Sequence, residues 1–378
     1  MNLTIDREVL LENLNTISRG LPTKSPMPIL TGIKLYVTEN DLFMTSSNSD
    51  ISVEVTINDA SLEIKEPGQT VVPGKFIDII RKINSRKVNL YLAEDKILVI
   101  KADRGEYKLY VMDPLEYPKM DFVALENPLK LNADVLKNMI KSTVFATSSS
   151  EKKPILTGVN FTNVNNTLTV VATDSFRLSQ KVISIEPYND FNITIPNKSL
   201  DELLKAIDQF AGDVNLYFQS NKLLAQFKNV CFQTRLLDGN YPDTSKLISS
   251  NFAINLTFNK DELIEAVERV SLLSPRDSAK DKEITYSIVK LELKKDRSVE
   301  ISTTNSQIGD AKEELLPTGI DADGPIAVGF SSRYLLDALK SFISTEVTLG
   351  LQAETRPFIV RGENDSNLTQ LILPVRMN

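Results

Sequence analysis

A carboxylate and a guanidinium three residues apart, Asp174 and Arg177, form the pair in this chain whose types and spacing could serve a reactive centre. In a Thr-Asp-Ser corner, however, an aspartate more often accepts hydrogen bonds from its own turn, and that is the simpler use of Asp174. The stretch Gly68-Gln69-Thr70-Val71-Val72-Pro73-Gly74-Lys75 comes near a phosphate-cradling loop. Its spacing is one residue too long, Phe76 stands where a magnesium-binding hydroxyl is needed, and Pro73 lacks a backbone donor, so it reads as a strand entering a helix. Ser149-Ser150-Glu151-Lys152 has the serine-to-lysine spacing of penicillin-binding enzymes but sits in a loop without a Lys-Thr-Gly partner. Asp321-Ala322-Asp323-Gly324 opens like a calcium loop and lacks the closing acidic residue, which leaves a turn. No Gly-x-Gly occurs, so a dinucleotide fingerprint is missing too.

Histidine is absent from all 378 residues, which removes the commonest general base and the commonest transition-metal ligand. The single cysteine, Cys231, cannot form an internal disulfide or a thiolate cluster and fits a reducing, cytoplasmic compartment. The first residues lack a basic segment followed by an apolar core, and no apolar run approaches the length of a membrane span. With 43 basic and 50 acidic residues the net charge is -7, which argues against coating nucleic acid by overall charge but leaves room for a local basic surface.

The elements that would position these groups come in threes. An alternating apolar segment runs into a small polar corner at Leu42, Met44, Ser46, Ser47, Asn48 and Ser49. It returns at Leu168, Val170, Ala172, Thr173, Asp174 and Ser175, and again at Val299, Ile301, Thr303, Thr304, Asn305 and Ser306. The string PILTG, read as a strand, fills 28–32 and 154–158, and Tyr117-Pro118 and Tyr241-Pro242 follow the first two copies. Spacings of this size mark whole domains rather than solenoid units, with expected domains at 1–125, 126–250 and 251–378 joined by short polar linkers. Each copy should hold two helices among period-two strands. The first helices are expected over Asp6 to Ser18, Ala133 to Phe145 and Lys260 to Leu272, with Asp6, Asn132 and Asn259 as N-caps. The second are expected over Gly74 to Ile83, Asn197 to Ile207 and Ser331 to Phe342, each entered from a short apolar strand.

Basic residues gather unevenly on these helices. Lys75, Arg81, Lys82, Arg86 and Lys87 face a single acid, Asp78, and Lys137, Lys141, Lys152 and Lys153 follow in the second copy. A solvated helix face explains such a cluster as well as a nucleic-acid surface does. The third copy's first helix is acidic, with Asp261, Glu262, Glu265 and Glu268, so no uniform positive stripe exists.

The PILTG segment, the Val-Ala-Thr-Asp-Ser-Phe-Arg-Leu run at 171–178, the Leu-Leu-Asp-Gly-Asn-Tyr-Pro-Asp-Thr stretch at 236–244 and the Gln-Leu-Ile-Leu-Pro-Val-Arg end at 370–376 together resemble the bacterial DNA sliding clamps, the beta subunits of the replicative DNA polymerase III holoenzyme. The likeness runs through the whole chain in order. It implies an α+β fold of three similar clamp domains, each with two helices packed on antiparallel sheets, making half of a closed six-domain ring. It implies a homodimer that encircles double-stranded DNA without reading sequence and tethers the replicative polymerase, the clamp loader and other proteins through short peptides. No catalytic residue, metal or cofactor belongs to that picture.

Carried over residue by residue, the resemblance implies a partner-peptide pocket of Lys153, Leu156, Thr173, Ser175, Arg177, Leu178, Pro242, Lys246, Leu247, Ser331, Tyr334, Pro357, Ile372, Leu373, Pro374, Val375 and Arg376. Phe176 departs from the family pattern, where histidine is common, and Lys153 often matches arginine. The same resemblance implies DNA-facing roles for Lys24, Lys75, Arg81, Lys198 and Arg333, and a protomer interface of Tyr107 and Leu109 against Leu272 and Leu273. Two other readings stay open at this level: an enzyme or binding protein that reuses a triplicated fold, and an open, monomeric regulator.

Overall fold

The computed structural model describes residues 1–94, 96–124, 126–248, 251–274 and 288–375, so the expected domain ends at 125 and 250 lie outside the described residues. Six α-helices fall among those described: α1 (Arg7–Ile17), α2 (Lys75–Lys82), α3 (Ala133–Thr143), α4 (Asn197–Ala206), α5 (Lys260–Ser271) and α6 (Ser332–Lys340). They are the six that the apolar spacing predicts, two per copy. α1 buries Leu10, Leu14 and Ile17, α5 buries Leu263, Ala266, Val267 and Val270, and α6 buries Leu335, Ala338 and Leu339. Each full burial of a leucine is worth about 2 kcal/mol, enough to fix short helices that water alone would not support.

The helix ends repeat as well. Asp6, Asn132 and Asn259 accept from the backbone N–H two residues on, at 3.0, 2.9 and 3.0 Å. A cation from each first helix reaches carbonyls at the end of the following second helix. Arg7 donates to Ile80 O at 3.5 Å, Lys137 to Asp208 O and Phe210 O at 3.1 and 3.2 Å, and Lys260 to Phe342 O at 3.0 Å. Positive charge at a helix C-terminus satisfies carbonyls that lack an intrahelical partner.

The chain divides into two compact units, residues 1–137 with 198–236, and residues 138–197 with 237–378. The middle copy therefore contributes strands to both. In the first unit a five-stranded sheet runs Glu63–Glu66, Asn2–Asp6, Lys87–Ala93, Ile97–Ala102, Gly105–Tyr110. An eight-stranded sheet runs Leu129–Asn132, Asp213–Phe218, Lys222–Phe227, Val230–Arg235, Ile51–Ile57, Leu42–Ser47, Gly32–Val37, Gly68–Pro73. In the second unit a nine-stranded sheet runs Phe191–Pro196, Gly158–Val164, Thr167–Thr173, Arg177–Ser184, Leu368–Ile372, Phe358–Gly362, Glu346–Leu351, Ile254–Asn259, Gly319–Ala322. A four-stranded sheet runs Gly309–Leu315, Val299–Asn305, Ile288–Leu293, Ile326–Ser331. All the pairings are antiparallel, as alternating strands with one buried face require.

Each large sheet crosses a copy boundary at one joint. In the first unit Ile51–Ile57 pairs with Val230–Arg235, Ile51 opposite Thr234 and Val53 opposite Phe232. In the second unit Arg177–Ser184 pairs with Leu368–Ile372, Arg177 opposite Ile372 and Ser179 opposite Gln370. Each sheet ends in two edge strands; two of these are Gly105–Tyr110 in the first unit and Gly309–Leu315 in the second.

The polar corners are Asx turns. Asn48 Oδ1 accepts from Asp50 N and Ile51 N at 3.1 and 2.8 Å. Asp174 Oδ1 accepts from Phe176 N and Arg177 N at 2.9 Å each, and Asn305 Oδ1 accepts from Gln307 N at 3.0 Å. Ser49 and Ser175 both sit at φ 80°, a left-handed conformation that the adjacent Asx side chain holds in place. The PILTG segments differ from expectation. Pro28–Thr31 and Pro154–Thr157 are 3₁₀ turns, and the strand begins only at Gly32 and Gly158. Proline at the first position of a turn presets its φ, which overrides the β-preference of the isoleucine that follows.

Candidate functional site

Arg177 is the side chain around which the candidate site is built. It is only 8% exposed, on the first residue of its strand, and each of its three side-chain nitrogens makes a hydrogen bond within the second unit. Nε donates to Asp174 Oδ2 at 3.1 Å, Nη1 to Asp337 Oδ2 at 2.6 Å, and Nη2 to the Phe145 carbonyl at 2.6 Å. The guanidinium lies over the Tyr334 ring at 4.5 Å and near the Phe145 ring at 5.4 Å. A buried arginine is tolerable when its charge is paired and its planar faces meet aromatic rings, and both conditions hold here. Asp174 thus does two things: Oδ1 closes its own turn and Oδ2 holds Arg177. The pair noticed in the sequence is structural: Asp174 is spent on its own turn and on Arg177, and Arg177 on Asp174 and Asp337.

Beside Arg177 opens a cavity of about 410 Å³ lined by Phe145, Thr147, Ser148, Ser149, Ser150, Lys152, Lys153, Leu156, Asp174, Ser175, Phe176, Arg177, Arg333 and Tyr334. Its floor is apolar and aromatic, and its rim carries lysines and Arg333. Such a lining suits a peptide side chain better than a small polar metabolite. Among the described residues no cluster of three or more acids, histidines or cysteines could hold a metal.

Of the residues expected in the pocket, Lys153, Leu156, Ser175, Arg177 and Tyr334 line this cavity. Thr173 supports it from behind: its hydroxyl donates to Arg177 O at 2.6 Å, and its amide donates to the Tyr241 hydroxyl at 3.0 Å. Burial pushes the Tyr241 phenol well above its ordinary pKa, with the Thr173 amide working the other way. Leu178 packs with Val171, Ile359 and Leu371 in a small apolar cluster that Tyr241 and Leu373 cover. Ile372 is buried in the third copy's core, and Ser331 is buried at the start of α6. The segment after Ile372 is tied down by backbone bonds, Leu373 N to Phe176 O at 2.9 Å and Val375 N to Gly329 O at 2.7 Å, with Pro374 half-buried between them. Pro242, Lys246 and Leu247 are exposed, Pro357 is half-buried, and Arg376 lies outside the described residues.

Sequence reasoning missed Phe145, the Thr147–Lys152 stretch, Arg333 in this role and Asp337. The Ser148-Ser149-Ser150 tract was the available signal, but small polar residues mark any surface loop as readily as a cavity wall.

The residues expected to face DNA are exposed and partly neutralised. Lys75 Nζ lies 2.9 Å from Asp78, whose carboxyl is held below its ordinary range chiefly by that hydrogen bond. Arg81 reaches Asp78 at 3.3 Å and Asn15 Oδ1 at 3.3 Å, while Lys24 and Lys198 are exposed. Arg333, exposed as well, also lines the cavity, 3.9 Å from Asp337. Tyr107 and Leu109 sit on the open edge Gly105–Tyr110 of the first unit. In the second unit Leu272 is 80% exposed just past α5, next to a half-buried Leu273.

Models of the DNA polymerase III beta subunit match nearly the whole chain: the N-terminal domain over residues 1–121, the central domain over 130–243 and the C-terminal domain over 245–376. The beta sliding clamps of Staphylococcus epidermidis and Staphylococcus aureus are each 36% identical over 383 aligned residues, covering 100% of this chain and 99% of theirs. The crystal structure of the DNA polymerase sliding clamp from Bacillus subtilis superposes with a TM-score of 0.94 at 34% identity. That of the beta subunit from the Streptococcus pyogenes DNA polymerase superposes at 0.93 and 32%, and both cover each chain completely.

Proposed function

The chain belongs to the bacterial DNA polymerase III beta-subunit family, the beta sliding clamps, and on that premise we propose which of its own residues close the ring, meet DNA and receive partners. It is a processivity factor without a chemical step, a homodimeric clamp that encircles duplex DNA and tethers the replicative polymerase. No described helix is long and apolar enough to cross a membrane, and we place the protein with the replication machinery in the cytoplasm.

The observation that carries the interface assignment is the twice-repeated sheet joint. Both internal joints bring the strand after an Asx corner against the last strand of the neighbouring copy. The two strands left over are the third copy's corner strand, Gly309–Leu315, and the first copy's last strand, Gly105–Tyr110. Joining them between two copies, head to tail, makes a heterologous contact that closes on itself and removes both open edges. Inward faces must match, so Leu109 is set opposite Gly309 and Tyr107 opposite Ala311, as Thr234 is opposite Ile51 and Phe232 opposite Val53.

That register places Lys108 across from Asp310, Glu106 across from Lys312, and Tyr110 across from Ile308. The charges are complementary, and the apolar pair is otherwise 84% and 65% exposed. Leu272 and Leu273 are close in the chain to the end of α5 and cover the inward side. Leu273→Asp should therefore weaken dimerisation more than about tenfold in sedimentation velocity. An unchanged dissociation constant would remove these leucines from the interface.

DNA contact falls to Lys24, Lys75, Arg81 and Lys198, and the partial neutralisation of Lys75 and Arg81 by Asp78 suits a surface that must slide over phosphates rather than hold them. Partner peptides enter the Arg177 cavity of the second unit and lay apolar anchors against Leu156, Phe145 and Tyr334. The overall reading is tested by loading the protein with its loader onto nicked circular plasmid and then linearising it. Release on cutting is the expected outcome, and equal retention on circle and line would mean ordinary affinity binding.

A further inference from the structure

Each copy opens on a short strand that feeds its first helix: Asn2–Asp6, Leu129–Asn132 and Ile254–Asn259. One side of each is fixed in the same way. The first helical amide donates across to the neighbouring strand or its approach, Arg7 N to Arg86 O, Ala133 N to Gly212 O and Lys260 N to Thr345 O, at 2.8 Å each. Bonded and non-bonded positions alternate along an antiparallel pair. Leu129 and Leu131 therefore bond toward Asp213–Phe218, while the N–H and C=O of Lys130 and the N–H of Asn132 point the other way. In the first copy that outer side is taken by Glu63–Glu66, with Glu63 opposite Thr4 and Ile64 opposite Leu3. In the third it is taken by Gly319–Ala322, with Gly319 opposite Thr257, Ile320 opposite Leu256 and Asp321 opposite Asn255. In the middle copy Leu129–Asn132 ends its sheet, and no backbone partner meets Lys130 or Asn132 on that side among the described residues.

The cause lies in the sequence. The run from Arg177 to Pro196 is three residues shorter than its equivalent from Ile51 to Pro73, and Pro187 sits within it. That run is tied down inside the second unit: Asn163 Nδ2 donates to Tyr188 O and Asn189 O at 3.1 and 3.0 Å, and Tyr188 N donates to Asn166 Oδ1 at 3.0 Å. The bare edge differs in charge as well. Lys130 stands where the covered copies have Thr4 and Thr257; it is exposed, and no ion pair holds it among the described residues.

We propose that Leu129–Asn132 is a docking edge for an extended segment of another protein, one that sets a glutamate or aspartate opposite Lys130 and an isoleucine or valine opposite Leu129. The strands that fill the two equivalent seats supply the pattern. Each places an isoleucine across from the leucine that Leu129 matches, with an acid beside it, Glu63 before Ile64 and Asp321 after Ile320. Backbone bonds to Lys130 and Asn132 hold such a segment, and the opposed charges set its register. A second copy of the same edge is disfavoured, because antiparallel pairing about residue 130 would bring two lysines face to face.

The test uses the full-length protein and hydrogen exchange read at single amides. In the free protein Lys130 and Asn132 should exchange at least about tenfold faster than Leu129 and Leu131. The blocked hexapeptide Thr-Glu-Ile-Asp-Val-Thr, at millimolar concentration, should slow both outward amides. It should do so at about a threefold lower concentration than Thr-Lys-Ile-Lys-Val-Thr. Lys130→Glu should reverse that order. Lys130→Pro removes an outward donor and keeps the bonds to Asp213–Phe218, so it should abolish protection of Asn132 with little change in thermal midpoint. Should the proline variant fold poorly, the charge reversal still decides. Protection by neither peptide would overturn the proposal and leave Lys130 as a guard of the edge. Equal protection by both, in the native protein and in Lys130→Glu, would overturn the reading of charge and the proposal with it. Slow exchange of Lys130 without peptide, rising with protein concentration, would give the edge to a second copy and contradict it too.

Discussion

The two internal joints use one backbone plan for different ends. Each has an Asx corner, a serine at φ 80°, a strand crossing to the next copy in the same register, and a tyrosine that approaches the corner from the linker. In the first unit the residue after the corner is Ile51, 3% exposed, and methionines from the linker pack close by. Met112 and Met120 cover the cluster of Ile29, Leu30, Val71 and Tyr117. In the second unit the same position is Arg177, Lys153 replaces Met27, Phe176 replaces Asp50, and a cavity opens beside them. Backbone pairing fixes the joint whatever the side chains, so the lining is left to differ: one corner is packed shut, the other borders a cavity.

A cation–carboxylate bridge spans both joints, but its cation moves. In the second unit Arg177 meets Asp337 on α6; in the first, the equivalent carboxylate, Glu202 on α4, lies 3.8 Å from Arg19, which stands where the second copy has Phe145. The equivalents at the proposed joint between chains are Ile79 on α2 and Leu272, both apolar. On the proposed assignment the joint between chains carries an apolar pair where the two internal joints carry ionic ones.

The comparison breaks most visibly at Arg177. Arg177→Met would leave Asp174 and Asp337 without their cation and should cost about 3 kcal/mol, read as a lower denaturation midpoint, since removing one partner of a buried pair strands the other. A loss under 1 kcal/mol would mean the brace is dispensable. Tyr241→Phe removes the acceptor of the Thr173 amide and should cost about 1–2 kcal/mol in the same assay. Its counterpart sharpens the contrast. The Ser47 amide lies toward the Tyr117 hydroxyl without meeting hydrogen-bond geometry, and that buried hydroxyl has no hydrogen-bond partner among the described residues, so Tyr117→Phe should be close to neutral. A small effect is also expected of Arg19→Met, because the Arg19–Glu202 pair is long and partly solvated: about 0.5 kcal/mol or less.

Much of this was legible beforehand because it rests on local rules. All six helices, their three N-caps and the Asx corner at Asp174 follow from side-chain spacing and turn chemistry that the sequence displays directly. PILTG misled because a proline-led 3₁₀ turn and a β-strand share the same apolar letters. The Arg177 brace was half visible, since Asp174 is three residues away. Asp337 is 160 residues distant and nothing local marks it. The division of the middle copy between two units was equally hidden, since strand pairing across a copy boundary leaves no period in the sequence.

The central claim is that the joint between chains repeats the two within each chain. Disulfide trapping tests it directly: Lys108→Cys with Asp310→Cys in a Cys231→Ser background, so that no native thiol competes. Directly opposed strand positions bring the two Cα atoms to about 5 Å, within disulfide reach. The account predicts rapid formation of a doubly crosslinked dimer under mild oxidation, with none from Glu106→Cys and Asp310→Cys. Crosslinking of the offset pair in place of the matched one, or of neither in a protein that still dimerises, would contradict it.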